Sequence, residues 1–116
     1  MPKPLTALKI QRYHLYWVNF DPTQGGEIAK TQPAIVVSPD AMNKRIETVV
    51  VCPITSQLHP SWACRVQCEC AGRPSEIAVD QIRTVSKSRL RQHIGKIDSQ
   101  IASQLREAIA LLYATA

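Results

Sequence analysis

The chain changes its hydrophobic period once, near residue 98, and that change constrains the fold more than any motif does. Before it, apolar and β-branched residues come in short runs cut by Pro, Gly, Asn, Asp or Ser, the pattern of strands between turns. The runs predict strands over 13–20, 34–37, 47–53, 63–70 and 76–85, with a short sixth over 94–97. Residues 21–26 carry turn chemistry and continue as a loop through Gln32, Ser38-Pro39-Asp40 stops the second strand, and 55–61 is a polar loop. After residue 98, Ile101, Leu105, Ala108, Ile109 and Leu112 fall on one stripe of a helix that Asp98 or Ser99 can cap. Strands first and one helix last predict a mainly β, α+β domain: a small, partly open barrel with its C-terminal helix packed outside.

A chain of 116 residues has room for one core. Residues 1–11, with Pro2 and Pro4, read as a leader, and 12–116 as the single domain. Tyr13 to Phe20 is apolar on both pleat faces, more than a small barrel's interior requires, which predicts a homodimer built on the early strands and the helix. With 45% apolar and 20% charged residues the chain is expected to fold. No apolar run approaches the roughly 20 residues of a membrane span, and no apolar stretch follows Pro2 and Pro4 as in a signal peptide. A soluble, cytoplasmic protein without a membrane partner is the expectation.

Cys64, Val66, Cys68 and Cys70 alternate with Arg65, Gln67 and Glu69, which places the thiols on the inner face of a strand. Their spacing lacks the CxxC pairs of a zinc site, so neither a metal nor another cofactor is expected. No Gly-rich phosphate loop, GxSxG or HExxH is present. Charge says more. The net charge is +5, and from Gln81 to Ile97 the chain carries Arg83, Lys87, Arg89, Arg91, Lys96 and His93 with no carboxylate. Such a block suits phosphate or an acidic partner. His14 reads as structural, whereas His59, beside Pro60 and Trp62 in a polar loop, offers an imidazole and an indole to a nucleobase.

Four segments, taken together, resemble one family. Trp17-Val18-Asn19-Phe20-Asp21-Pro22-Thr23-x-Gly25-x-Glu27, then Lys30-Thr31-Gln32-Pro33-Ala34-Ile35-Val36-Val37-Ser38-Pro39, are similar to the opening of MazF/PemK toxins. Cys52-Pro53-Ile54-Thr55-Ser56 and Val79-Asp80-Gln81-Ile82-Arg83-Thr84-Val85 match the next two family segments in order. The resemblance covers roughly residues 12 to 112. It implies an SH3-like β-barrel with a C-terminal helix, a fold shared with CcdB-type inhibitors of DNA gyrase. It also implies a homodimer and metal-independent cleavage of single-stranded mRNA to 2′,3′-cyclic phosphate and 5′-hydroxyl ends. A cognate antitoxin with a disordered acidic tail is the implied partner.

In that chemistry the RNA 2′-hydroxyl attacks its own phosphate, so the protein must align the attack, move two protons and stabilise a phosphorane. By family position Thr55 supplies a hydroxyl and Asp80 a carboxylate, and the family's arginine position is filled by Gln32, which donates hydrogen bonds without positive charge. A second basic position of some members is Ala78. Gln32, Thr55 and Asp80 are therefore the catalytic candidates. Glu27, Lys30, Ser56, Gln57, His59, Arg83, Lys87 and Arg89 are the RNA-binding ones, with Lys30 or Arg83 as possible sources of the missing charge. The departures at 32 and 78 keep open a non-catalytic RNA-binding relative, and the fold shared with CcdB-type proteins keeps open a gyrase-inhibiting toxin.

Overall fold

The computed structural model describes residues 9–20 and 31–114. Residues 1–8 of the expected leader, the turn at 21–26, Glu27 and Lys30 lie outside the described residues. Ile10, placed in the leader by sequence, is buried beside Tyr16 and Val18.

Seven antiparallel strands form one curled sheet, an open half-barrel: β1 (His14–Asn19), β2 (Thr31–Val36), β3 (Thr48–Thr55), β4 (Arg65–Cys70), β5 (Arg73–Ala78), β6 (Arg83–Ser86) and β7 (Leu90–Lys96). The order across the sheet is β4-β5-β3-β2-β1-β7, and β6 adds to β3. A short helix, α1 (Asp40–Arg45), links β2 to β3, and α2 (Ser99–Tyr113) closes the chain. Among the described residues no helix is long and apolar enough to cross a membrane.

Alternation along the central strands feeds two cores, one on each face of the sheet. Tyr16, Val18, Ala34, Val36, Val49 and Val51 fill one. Leu15, Ile35, Cys52, Ile54, Val66, Cys70 and Ile77 pack on the other face with Leu105 and Ala108 of α2. Both faces of β1 are thus covered within one chain: Leu15 is 3% exposed on one face and Tyr16 1% on the other. The two-faced apolar pattern of β1 is accounted for by these cores and is no longer an argument for a dimer.

The expected stripe of α2 holds except at its end, where Leu112 is exposed. The cap is Asp98, whose carboxylate accepts from the Ile101 amide at 2.8 Å. Asp98→Ala is expected to cost about 1 kcal/mol, read as a lowered urea midpoint at unchanged slope; an unaltered midpoint would mean that the cap contributes nothing.

Three sequence expectations are corrected. Turn chemistry predicts a loop through Gln32, but β2 starts at Thr31. The helix α1 has no signature in the sequence because six residues are too short to show a period; buried Ser38 and Asn43 hold it, with the Ser38 hydroxyl donating to Asn43 Oδ1 at 2.6 Å and the Asn43 amide group to the Ser38 carbonyl at 3.0 Å. The expected strand 76–85 is two strands around a 3₁₀ turn, Val79–Gln81. From Val51 to Ile54 the chain of β3 advances three residues while its partner moves from Arg83 to Ile77, six residues. The turn takes up the excess. It is anchored by the Val79 amide on the Cys64 carbonyl and the Tyr113 hydroxyl on the Val79 carbonyl, at 3.0 and 2.7 Å.

Candidate active site

The site is built by strand register. In the β2–β3 ladder Ala34 faces Pro53 and Ile35 faces Cys52, so continuing that register sets Gln32 opposite Thr55. On its other side Thr55 faces Glu76 of β5, and Glu76 faces Gln67 of β4. Directly opposed residues share a face, so Gln32, Thr55, Glu76 and Gln67 make one polar row across four strands. Arg65, two residues from Gln67, projects on the same face.

Gln32 and Thr55 wall two adjoining cavities. One, of about 190 Å³, is lined by Gln32, Pro53, Thr55, Gln57, His59, Arg65, Ala78 and Gln81. The other, of about 260 Å³, reaches past Trp17, Ser56 and Ala71 to Arg73. The Thr55 hydroxyl oxygen accepts from the Gln57 amide at 3.1 Å, leaving its O–H free to donate.

Beneath this wall lies an ionic cluster the sequence did not disclose. Glu76 is fully buried; its carboxylate accepts from Arg65 Nη1 at 2.6 Å, Gln67 Nε2 at 2.9 Å and the His59 amide. Burial alone raises this carboxyl's pKa, but hydrogen bonds from Gln67, the His59 amide, Arg65 and the His59 ring together outweigh it and hold the group at about 2. The Arg65 fork also spans Asp80, with Nε on Oδ1 at 2.9 Å, and its guanidinium lies 4.8 Å above the Trp62 ring. Burial likewise raises Asp80, and hydrogen bonds from Arg65, its own backbone amide and Cys64 bring it below the ordinary carboxylate range. His59 stacks on Trp62 with ring centroids 3.9 Å apart and 19° between planes.

Of the residues singled out from sequence, the structure brings Gln32, Thr55, Ser56, Gln57 and His59 together. Asp80 lies behind Arg65 and does not line either cavity. The His59–Trp62 pair, read as two rings offered to a base, is stacked on itself.

The basic block does not converge on Thr55. The Lys87 amide bonds the Glu47 carbonyl before β3 begins, eight residues and roughly 26 Å of strand from Thr55. Arg83 covers the Phe20 ring at 4.9 Å, and Arg89 donates to the Asn19 carbonyl at 3.3 Å. His14 and His93 meet each other at 2.9 Å across β1 and β7. The missed residues are Arg65 and Glu76. Their one trace in the sequence is the Arg-x-Gln alternation between the cysteines, which gives β4 a polar face.

Cys52, Cys68 and Cys70 behave as small core residues, whereas Cys64 lies ahead of β4 and bonds Asp80. Cys52 and Cys70 are buried, all four thiols are free, and burial first, then neighbouring charge, pushes Cys52 and Cys68 up to about 12. Such thiols carry no nucleophilic thiolate at neutral pH. Among the described residues no group of three or more His, Cys, Asp or Glu is placed to hold a metal ion.

Comparison with known proteins agrees with this architecture. Endoribonuclease EndoA of Bacillus subtilis is 27% identical over 107 residues, covering 88% of this chain and 92% of that protein. Endoribonuclease MazF9 of Mycobacterium tuberculosis is 28% identical over 116 residues, covering 88% and 94%. Among solved structures, a MazE–MazF complex from Deinococcus radiodurans matches with a TM-score of 0.80 at 24% identity, over 94% of this chain and 99% of that one. The toxin MazF-mt6 of M. tuberculosis matches at 0.75 and 20% identity, over 89% and 98%. The family model for the PemK-like, MazF-like toxins of type II toxin–antitoxin systems spans residues 11–113, and the chain belongs to that family.

Proposed function

We propose that this toxin is an endoribonuclease that cuts single-stranded mRNA in the cytoplasm, at the cavity walled by Gln32 and Thr55. The relatives it matches are named endoribonucleases. The observation that carries the reading is the register that sets Gln32 beside Thr55 on an open cavity, since both come from segments that resemble the family's catalytic ones. The RNA 2′-oxygen bonds to phosphorus as the bond to the 5′-oxygen breaks, leaving a 2′,3′-cyclic phosphate and a 5′-hydroxyl. Because the substrate supplies its own nucleophile, no metal is required. Thr55 and Gln32 donate to the phosphate oxygens, and Ser56, Gln57 and His59 line the path of the strand. Asp80 acts through Arg65, which it holds in place, because a carboxylate of lowered pKa tied to a guanidinium is a poor base.

The partner is an antitoxin with an acidic segment, as the antitoxin complexes among the structural neighbours suggest. Lys9, Lys44 and Lys87, against the single carboxylate Asp40, line a separate cavity of about 350 Å³ whose net positive charge suits such a segment. The working unit in this reading is a homodimer.

A non-catalytic RNA-binding toxin is the second reading. It is favoured by Gln32 and by the commitment of Arg65, the cation on the 190 Å³ cavity, to two carboxylates. One experiment separates the two: single-turnover cleavage of a long RNA in EDTA, with the ends sequenced. Cutting by the chain as it stands supports the enzyme, and retarded mobility without cutting supports the binder.

In the same assay Gln32→Arg is expected to raise the rate at least about tenfold, roughly 1.4 kcal/mol of barrier. A phosphorane carries more negative charge than the phosphodiester, so a cation there favours the transition state. The neighbouring cluster of Arg65, Glu76 and Asp80 has a formal charge of −1 and accommodates a second guanidinium. A fast parent enzyme unchanged by Gln32→Arg would show that another group already carries the charge.

A further inference from the structure

The geometry points to His59 as the general base of cleavage, oriented by the buried carboxylate of Glu76; this rests on the endoribonuclease reading above. His59 lines the cavity that holds Gln32 and Thr55. Its ring is fixed from three sides. Trp62 stacks on its face, and Nδ1 lies 3.4 Å from Glu76 Oε2 and 3.4 Å from Arg65 Nη1. Its backbone amide is bonded to the same carboxylate.

A carboxylate has about four acceptor positions. Arg65, Gln67 and the His59 amide occupy three on Glu76. Nδ1 lies 3.4 Å from both Glu76 Oε2 and the donor Arg65 Nη1, and in this assignment the ring takes the tautomer whose Nδ1–H turns to the carboxylate and fills the fourth, in place of accepting from Arg65. That tautomer puts the lone pair on Nε2, on the opposite edge of the ring. A buried carboxylate that fixes an imidazole with its free nitrogen outward is the arrangement of a histidine base.

Charge supports the same assignment. The groups facing the imidazole are Glu76 from β5 and Arg65 from β4, with Asp80 behind Arg65. One guanidinium and two carboxylates leave a formal −1, which becomes neutral when the ring takes up a proton. As O2′ bonds to phosphorus, its proton passes to His59 Nε2; the bond from phosphorus to the 5′-oxygen breaks, and that oxygen takes its proton from solvent water. The imidazolium then returns its proton to water. Glu76 is a positioning residue, since it reaches the reaction through His59.

The test uses the full chain, with single-turnover cleavage of one RNA measured from pH 5 to 8, RNA affinity measured alongside, and folding followed by thermal melting. His59→Gln is expected to lower the rate about 10²–10³-fold beyond any change in RNA affinity, and to abolish the acid-side fall in rate expected of the parent. His59→Ala is expected to regain at least about tenfold in rate when imidazole is added to the buffer, a rescue that lost stacking on Trp62 does not produce. Glu76→Gln removes the negative charge that favours the imidazolium, so the acid-side fall moves to lower pH. A parent chain that cuts RNA beside a His59→Gln chain with equal rate and the same pH profile overturns the role of His59 alone. So does a His59→Ala chain that folds, binds RNA and fails to respond to imidazole. A parent chain that binds RNA and cuts none overturns the endoribonuclease reading and this inference with it.

Discussion

Replacing Arg65 with Met is expected to lower the unfolding free energy by about 3–5 kcal/mol, the cost of stripping one partner from a buried ion pair. Glu76 is fully buried, and the Arg65 side chain is only 7% exposed. Methionine keeps the apolar stem of the side chain but leaves the carboxylate with neutral donors alone, from Gln67 and His59. Asp80, whose side chain is 35% exposed, recovers water and contributes little to the loss.

The pH dependence separates this cause from lost packing. In the parent, Glu76 titrates at about 2, below its unfolded value. Its stabilisation is therefore present above the unfolded value near 4.5 and lost as pH falls towards 2. Without Arg65 the effect of burial dominates and the folded pKa rises, so the variant should lose less stability than the parent between pH 5 and pH 3. Urea titrations at both pH values check this. Equal losses on acidification would mean that the guanidinium does not hold Glu76 ionised.

The same cluster marks where sequence reasoning stopped. Period and turn chemistry made β1, β3, β4 and α2 legible, and alternation assigned Cys70 and Val66 to the core because burial on one pleat face is a local pattern. Register is not local. That Glu76 faces Thr55 and Gln67, and that Arg65 reaches both Glu76 and Asp80, depends on the three residues inserted at Val79–Gln81, which no periodicity records. A buried glutamate is also rare enough that residue type argues against finding one in a core. The basic block misled for the opposite reason. Its charges are adjacent in sequence, but strand and 3₁₀ turn alternate through 83–96 and send Arg83, Lys87 and Arg89 to different surroundings. Gln32 and Thr55 are singled out by resemblance to a family, which carries register implicitly, and the ladder sets the two side by side.

Thr55→Ala is expected to slow cleavage about 10²–10³-fold, or about 3–4 kcal/mol, the usual effect of deleting one fixed donor to a developing oxyanion. The Thr55 side chain already accepts from the Gln57 amide, which holds its oxygen in place and leaves the proton to point elsewhere. A hydroxyl fixed in this way pays little reorganisation when charge builds on the phosphate. Strand β3 supports it from below: Cys52 is fully buried and Ile54 2% exposed, so the backbone at Thr55 has little room to shift. Stability should change by less than about 1 kcal/mol, because Gln57 is exposed and water replaces the lost acceptor. Thr55→Ser keeps the hydroxyl without the methyl group and should retain most of the rate. The comparison is single-turnover cleavage of one RNA by the parent, Thr55→Ser and Thr55→Ala, at matched folded fraction. If Ala and Ser slow the reaction equally, the methyl group matters through packing and the hydroxyl donates nothing to the transition state; Gln32 would then be left as the remaining donor of the pair, with too few fixed donors on that wall to stabilise a phosphorane.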